Sequence, residues 1–583
     1  MIAVSLVYSA TGRNFGGQTR SISLSRSIYE VDVTLPPLHQ LVGGHKMQND
    51  RPNIVVILAD DLGYADLGCY GGEIRTPILD RLAQGGIRMS AFHNSPRCSP
   101  SRASLLTGLH PHQTGIGILT NDDGPTAYRG NLNDRCVTAA EVLKSIGYTT
   151  AIRGKWHLAH DIKNPNGAWP TARGFDTFYG TLTGCGSYYQ PGTLTRGTES
   201  AAHEALDPDF FYTDAIADEA VDFLSDHAVH GRPAPFFLYL PFTAPHGPLH
   251  ARPETIASYA GVYDDGWDVI RERRLARQKE IGLLPADSQL SERDPAVLAW
   301  NDEPQKEWQV SRMQAYAAMV EGLDRAIGRV VAQLEAQGDL ANTLLMFLSD
   351  NGAAADPVPL IDLEQFRERR DILNARTKDG RLVRIGNDPT VTPGGEDTYA
   401  SYGRSWANVS NTPFRLFKIW AHEGGVSAPF IAHWPAGNLP AGQIMPEAYQ
   451  LVHILPTLLE VSGATYPDER DGVPVHPLAA VSMLPAWRGQ ESPQQPLFWE
   501  HCGNAALQEG RWKLVREYDW PWELYDISTD RTESHDLAGD YPEIVQQMAA
   551  RWEETAEAVG VIPFRRTLEV YHRRGADYRH AIG

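Results

Sequence analysis

The sequence predicts an α/β protein. A large mixed, mostly parallel sheet flanked by helices is followed by a smaller C-terminal antiparallel sheet plus helix. Three observations carry the prediction. Short continuous apolar runs rich in β-branched or aromatic residues recur at 53–58, 147–152, 236–240 and 343–348, the mark of strands covered on both faces. Amphipathic helical stretches separate them. From about Pro496 the pattern changes to short strands and one closing helix.

At 583 residues the chain exceeds the size at which one core keeps growing. The expected division is a disordered extension over 1–47, a catalytic domain over 48–490 and a small α+β domain over 491–583. Residues 11–27 are polar and rich in Arg and Ser, and Met47 is a natural beginning. A net charge of −20 argues against binding nucleic acid or an acidic membrane, and no stretch reaches transmembrane length. The expectation is a soluble, cytoplasmic protein. Five cysteines, Cys69, Cys98, Cys136, Cys185 and Cys502, are odd in number and lack ligand-like spacing, against a disulfide framework or zinc cluster.

In order, the run Asn53 to Leu58 ends in Ala59-Asp60-Asp61-Leu62-Gly63. Open α/β sheets bind ligands at the carboxyl ends of their strands, and two adjacent carboxylates there repel unless a cation or proton separates them. A helix cap at Asp60 is the ordinary alternative. Thr76 to Gly86 and Val137 to Ile146 read as amphipathic helices. The strand 147–152 runs into Arg153-Gly154-Lys155-Trp156-His157, where strand-like alternation puts Lys155 and His157 on one face. Asp209 to His227 has helical spacing, and the strand Phe236 to Leu240 closes in Pro245-His246-Gly247-Pro248, a stiff loop suited to fixed positioning. The stretch 251–308 reads as a solvated helical insertion able to act as a lid, and Met313 to Gln337 as a long helix.

The strand Thr343 to Leu348 then delivers Ser349-Asp350-Asn351-Gly352. Twice, an apolar strand leads straight into a pair of oxygen donors. Asp60, Asp61, Asp350 and Asn351, with no Cys or His, describe a site for a hard cation such as Ca²⁺, Mg²⁺ or Mn²⁺. Residues 353–412 show little periodicity; a loop of that length is functional or disordered. Phe417-Lys418 and His422-Glu423-Gly424-Gly425 lead to a strand over Val426 to Trp434. Residues 437–444 look like a linker, and Val452 to Val461 is helical.

The stretch from Cys98 to Gly108 organises the rest. Ser99, Pro100 and Ser101 are helix-start residues, Ala103 to Leu106 form an apolar face, and Gly108 is a stop. Cys98 therefore falls just ahead of a helix N-terminus, where the dipole favours an anion, and Arg102 can reach back to it. A thiol so placed is a candidate reactive centre; a small buried hydrophobe is the ordinary alternative.

Together these motifs resemble the sulfatase family, and within the alkaline-phosphatase-like group the bacterial alkyl/aryl sulfatases without a secretion signal. The resemblance spans Arg51 to Phe564. It rests on Ala59-Asp60-Asp61, Cys98 to Gly108, Gly154-Lys155-Trp156-His157, Pro245-His246, Ser349 to Gly352, and Lys418 with His422 to Gly425.

The resemblance implies an arylsulfatase-type sulfuric ester hydrolase whose Cys98 is converted to Cα-formylglycine by a maturation enzyme. It implies Ca²⁺ at Asp60, Asp61, Asp350 and Asn351, with Mg²⁺ or Mn²⁺ compatible with the same donors. Asp350 is also a candidate base. Arg102, Lys155 and Lys418 would spread positive charge around the transferred sulfuryl group. His157 would assist breakdown of the intermediate, and His246 would protonate the leaving oxygen. No separate cofactor-binding residues are expected, and the partner is a small-molecule sulfate ester. A phosphonate or phosphate ester hydrolase of the same fold is the alternative, and a non-catalytic metal-stabilised binding protein a more distant one. The walls of the substrate pocket are placed around Leu182 (with Thr183 and Tyr188), in 251–308 and in 353–412.

Overall fold

A computed structural model describes residues 51–230, 234–360 and 371–573, with side chains to 569. The extension expected over 1–47 lies outside the described residues, all of which belong to one compact unit. The strands of the main sheet are β1 (Asn53–Ala59), β2 (Ile87–Met89), β3 (Thr149–Arg153), β4 (Thr177–Thr181), β5 (Leu194–Arg196), β6 (Glu199–Ser200), β7 (Phe236–Pro241), β8 (Thr343–Ser349), β9 (Phe430–His433) and β10 (Gln443–Met445). Their spatial order is β10-β2-β9-β8-β1-β7-β3-β4-β5-β6.

The central strand β1 lies parallel to both neighbours, with Ile54 opposite Phe237 and Ala59 opposite Ser349. Its side chains alternate between two cores: Val55, Ile57 and Ala59 face one, Ile54, Val56 and Leu58 the other. That two-sided burial is why the run contains no polar alternation. Because β1, β3, β7 and β8 run the same way, their carboxyl ends share one rim of the sheet. Backbone bonds lock that rim, Asp350 N–H to the Ala59 carbonyl at 3.0 Å and Lys155 N–H to the Pro241 carbonyl at 2.7 Å. Gly154 makes the second approach feasible: its φ is +130°, and a Cβ there would lie 2.1 Å from the Pro241 carbonyl oxygen.

Helices α1 (Pro77–Gly85), α2 (Cys98–Thr107), α3 (Ala139–Ser145), α4 (Tyr212–Val229), α5 (Gly266–Glu280) and α6 (Lys306–Gln337) cover the sheet. Three sequence expectations change. Cys98 is the first residue of α2, capped by Arg97 in extended conformation, and all ten residues of α2 are buried, so the helix has no solvent face. The strand expected over 426–434 is only β9; Glu423–Val426 is a helical turn, and β9 runs antiparallel to β8 because the chain re-enters from the site rim. The 437–444 linker supplies β10, an edge strand paired with β2. It is too short to show a period.

The C-terminal strands β11 (Leu497–His501), β12 (Asn504–Glu509), β13 (Trp512–Arg516) and β14 (Glu523–Asp526) form an antiparallel meander. One face packs on the amphipathic helix α7 (Pro542–Val559) through Phe498, Leu507, Leu514 and Trp552. The other meets Ala421 and Val426. No helix among the described residues is long and apolar enough to cross a membrane.

Candidate active site

The rim holds every residue singled out from sequence. Asp60 and Asp61 leave β1, and Asp350 and Asn351 leave β8. Asp61 N–H donates to Asp350 Oδ1 at 3.2 Å, and Asn351 Nδ2 to Asp61 Oδ1 at 2.7 Å. Ser349 ties the two strand ends, its Oγ accepting from Leu62 N–H at 3.1 Å and donating to the Asn351 carbonyl at 3.0 Å. Each carboxylate meets a buried cation: Lys155 Nζ donates to Asp60 Oδ2, Lys418 Nζ to Asp61 Oδ1 at 2.7 Å, and Arg102 Nη2 to Asp350 Oδ2 at 2.8 Å. Arg102 also donates to the Lys155 carbonyl at 3.0 Å. Three carboxylates against three cations leave the cluster balanced despite its burial.

Cys98 opens α2 beside this cluster, its Sγ 3.5 Å from His157 Nδ1. Lys155 and His157 do share a face while Trp156 turns into the core, although β3 ends at Arg153 and His157 takes a φ of +54°. His246 donates Nδ1–H to the Gly247 carbonyl at 2.7 Å and presents Nε2 3.4 Å from Asp61 Oδ2. Lys418 comes from a loop whose next residue, Ile419, sits at φ +90°, a costly conformation for a β-branched side chain.

The cluster reshapes its own acidities. Burial works to raise the Asp61 carboxyl, but Lys418 and His246 outweigh it and hold it below the ordinary carboxylate range. Burial pushes Asp60 up, and burial with the Asp60 charge brings Asp350 up to about 6. Burial opposes ionisation of the Cys98 thiol, yet Lys155 and Lys418 bring it below its usual value. Burial, then Lys155 and Arg102, hold His157 well below the ordinary imidazole value, and burial lowers His246.

Two observations fit a hard cation here. Asp60 Oδ1 and Asn351 Oδ1 are buried without a hydrogen-bond partner, although acceptors so placed are costly to leave unmet. Asp60, Asp61 and His246 each offer a ligand atom within 4.8 Å of one another, so the first two carboxylates expected from sequence converge, with the His246 ring beside them. Both Asp350 oxygens accept protein hydrogen bonds.

The centre opens into a cavity of about 690 Å³ lined by the 182–185 turn and by residues 354–358 and 399–402. The 251–308 stretch, expected as a wall, supplies none of the lining. Its helix α5 is instead fixed by Arg274, bound to Asp66 and Glu73, and packs through Trp267 and Ile270 into the core it shares with α6. Several lining residues were not picked out from sequence. Leu119 to Asn121 with His160 carry no local pattern. Arg97 stood directly before Cys98, and its position there was the available signal.

Comparison with known proteins settles the family. The family model "Sulfatase" matches residues 52–464, and "N-sulphoglucosamine sulphohydrolase, C-terminal" matches 414–558. The chain belongs to the sulfatase family. It is 32% identical to an uncharacterized sulfatase of Schizosaccharomyces pombe, covering 88% of this chain and 95% of that protein. To an arylsulfatase of Klebsiella aerogenes it is 34% identical over 76% and 93% of the two chains. The fold matches that of Ps i-CgsB in complex with k-i-k-neocarrahexaose, with TM-score 0.63, 24% identity and coverage of 91% and 99%. It also matches the phosphonate monoester hydrolase of Agrobacterium radiobacter, with TM-score 0.53, 19% identity and coverage of 87% and 96%. This sulfatase is a sulfuric ester hydrolase, and its family implies a formylglycine and a divalent metal.

Proposed function

We propose that this sulfatase hydrolyses aryl or alkyl sulfate monoesters at Cys98 matured to formylglycine, with Ca²⁺ held by Asp60, Asp61, Asp350 and Asn351. The observation that supports this most is the convergence of Cys98, three buried cations and two unpartnered oxygen donors on one strand-end rim. The hydrated formylglycine would supply one oxygen to attack sulfur and a second to expel sulfate by collapse to the aldehyde. The cation would supply positive charge against the sulfate oxygens.

The other roles belong to this chain's own side chains. Lys155, Lys418 and Arg102 are pre-positioned by their carboxylate partners, so their charge faces the transferred group with little reorganisation. Removing one such preorganised donor costs on the order of 10²–10³ in kcat. His157 Nδ1, beside the residue 98 side chain, is placed to take a proton from it. His246, its ring fixed through Nδ1, keeps Nε2 for proton exchange with the leaving oxygen. Asp350 remains a candidate base.

The test is release of 4-nitrophenol and sulfate from 4-nitrophenyl sulfate, run beside a phenylphosphonate monoester, by protein of known formylglycine content. Faster sulfate ester turnover that vanishes in Cys98→Ala is expected. Preferential phosphonate turnover would favour the alternative, and full activity in Cys98→Ala would refute the nucleophile.

A further inference from the structure

Lys155, Lys418 and Arg102 are each ion-paired; Arg97 is not. It is the N-cap residue of α2, adjacent to Cys98, and it lines the cavity. Its Nε and Nη1 are buried without a hydrogen-bond partner, and no ion pair joins it to any described residue. Asp356 also lines the cavity; burial opposes the charge on Arg97, but Asp356, Cys98 and Asp61 outweigh it and favour the protonated guanidinium. A half-buried guanidinium with no carboxylate at contact distance is unfavourable unless a ligand supplies the counter-charge. Its charge and its reachable Nη2 suit an anionic acceptor such as a carboxylate or a sulfate. Leu249, Ile372 and Tyr399 on the cavity wall offer apolar surface to the body of a substrate.

We infer that Arg97 forms an anion subsite beside the sulfate-transfer centre. The preferred esters then carry a second negative group, a carboxylate or another sulfate, on the alcohol part. The inference rests on the sulfatase reading above. The second anion meets Nη2, the guanidinium nitrogen that is not sealed, and Asp356 moderates how strongly it is held.

The experiment compares kcat/KM for phenyl sulfate, the three carboxyphenyl sulfate isomers, 3-carbamoylphenyl sulfate and 1,3-phenylene bis-sulfate. Formylglycine content of each preparation is measured by peptide mass. The wild type is expected to favour a carboxyphenyl isomer or the bis-sulfate over phenyl sulfate at least tenfold, with no such gain for the uncharged amide. Which anionic ester gains identifies the second group. In Arg97→Gln the ratio of anionic-ester to phenyl sulfate kcat/KM falls to about one, and in Asp356→Asn that ratio grows. The inference is overturned if the wild type shows no anionic preference. It is also overturned if Arg97→Gln slows every ester equally, which would assign Arg97 to the transferred sulfate, or if Asp356→Asn reproduces Arg97→Gln, which would make the two a structural pair. Should Arg97→Gln fail to fold, the wild-type comparison with the amide control still decides. Failure of the wild type to release sulfate from any ester would instead overturn the sulfatase reading on which this rests.

Discussion

Replacing Lys513 by methionine removes one charge from a sealed ion cluster and tests how the C-terminal sheet holds the active-site loop. Lys513 Nζ, fully buried on β13, lies 2.8 Å from Glu423 Oε1 and 2.8 Å from Glu533 Oε1. Glu533 also accepts the Glu423 N–H at 2.9 Å, and Arg531 and His93 reach Glu423 at 2.9 and 3.2 Å. Glu423 sits five residues after Lys418, and the intervening loop is tied to the same sheet by Asn504 to the Ile419 carbonyl and by Trp420 to Glu517. Methionine keeps the length of the stem but leaves Glu533 facing Glu423 with no shared cation. Breaking a buried pair from one side costs about 3–5 kcal/mol, because the remaining charge stays desolvated. Equilibrium urea unfolding should show that loss, and Lys513→Met with Glu533→Gln should recover at least half of it. A change below about 1 kcal/mol in the single variant would refute the argument that these charges are dry and mutually dependent.

Gly184→Ala places a Cβ 2.3 Å from the His157 ring, so ester turnover should fall at least tenfold with the unfolding midpoint nearly unchanged; full activity would show that the ring moves freely. Burial works to raise Glu523, but His422, Tyr525 and Arg415 outweigh it and hold its carboxyl at about 2. Its stabilisation is therefore present above the unfolded value of 4.5 and lost as pH falls through about 2. Glu523→Gln should cost about 1–2 kcal/mol at pH 7, allowing for solvent screening of a partly exposed group, and flatten the acid limb of the stability profile; an unchanged limb would contradict the assignment. Ca²⁺ at a hundred times its Kd should stabilise the wild type by about 2.7 kcal/mol and Asp60→Asn much less, read by thermal unfolding with bound metal measured in parallel. Equal stabilisation of both would remove Asp60 from the cation site.

The rim was legible in sequence because β1, β3 and β8 are apolar runs that end abruptly in charged or polar side chains. Asp60, Asp61, Asp350 and Asn351 stand at such ends, and parallel pairing of β1 with β8 does the rest. The start of α2 was legible to within a residue from Ser99 and Pro100. What could not be read depends on distant packing. The 182–185 and 399–402 parts of the cavity wall fall within the segments expected from sequence, whereas residues 119–121 carry no pattern of their own. The direction of β9 and the edge role of β10 follow from where the chain returns. Lys513 and Glu533 look like surface charges until the sheet that carries them is laid against Glu423.

The central claim is that residue 98 becomes the nucleophile of this sulfatase. Its most direct test is sulfate release per molecule plotted against the fraction of residue 98 peptide running about 18 Da below the cysteine form. The account predicts a straight line through the origin. Turnover that persists in protein carrying only the unmodified thiol would contradict it.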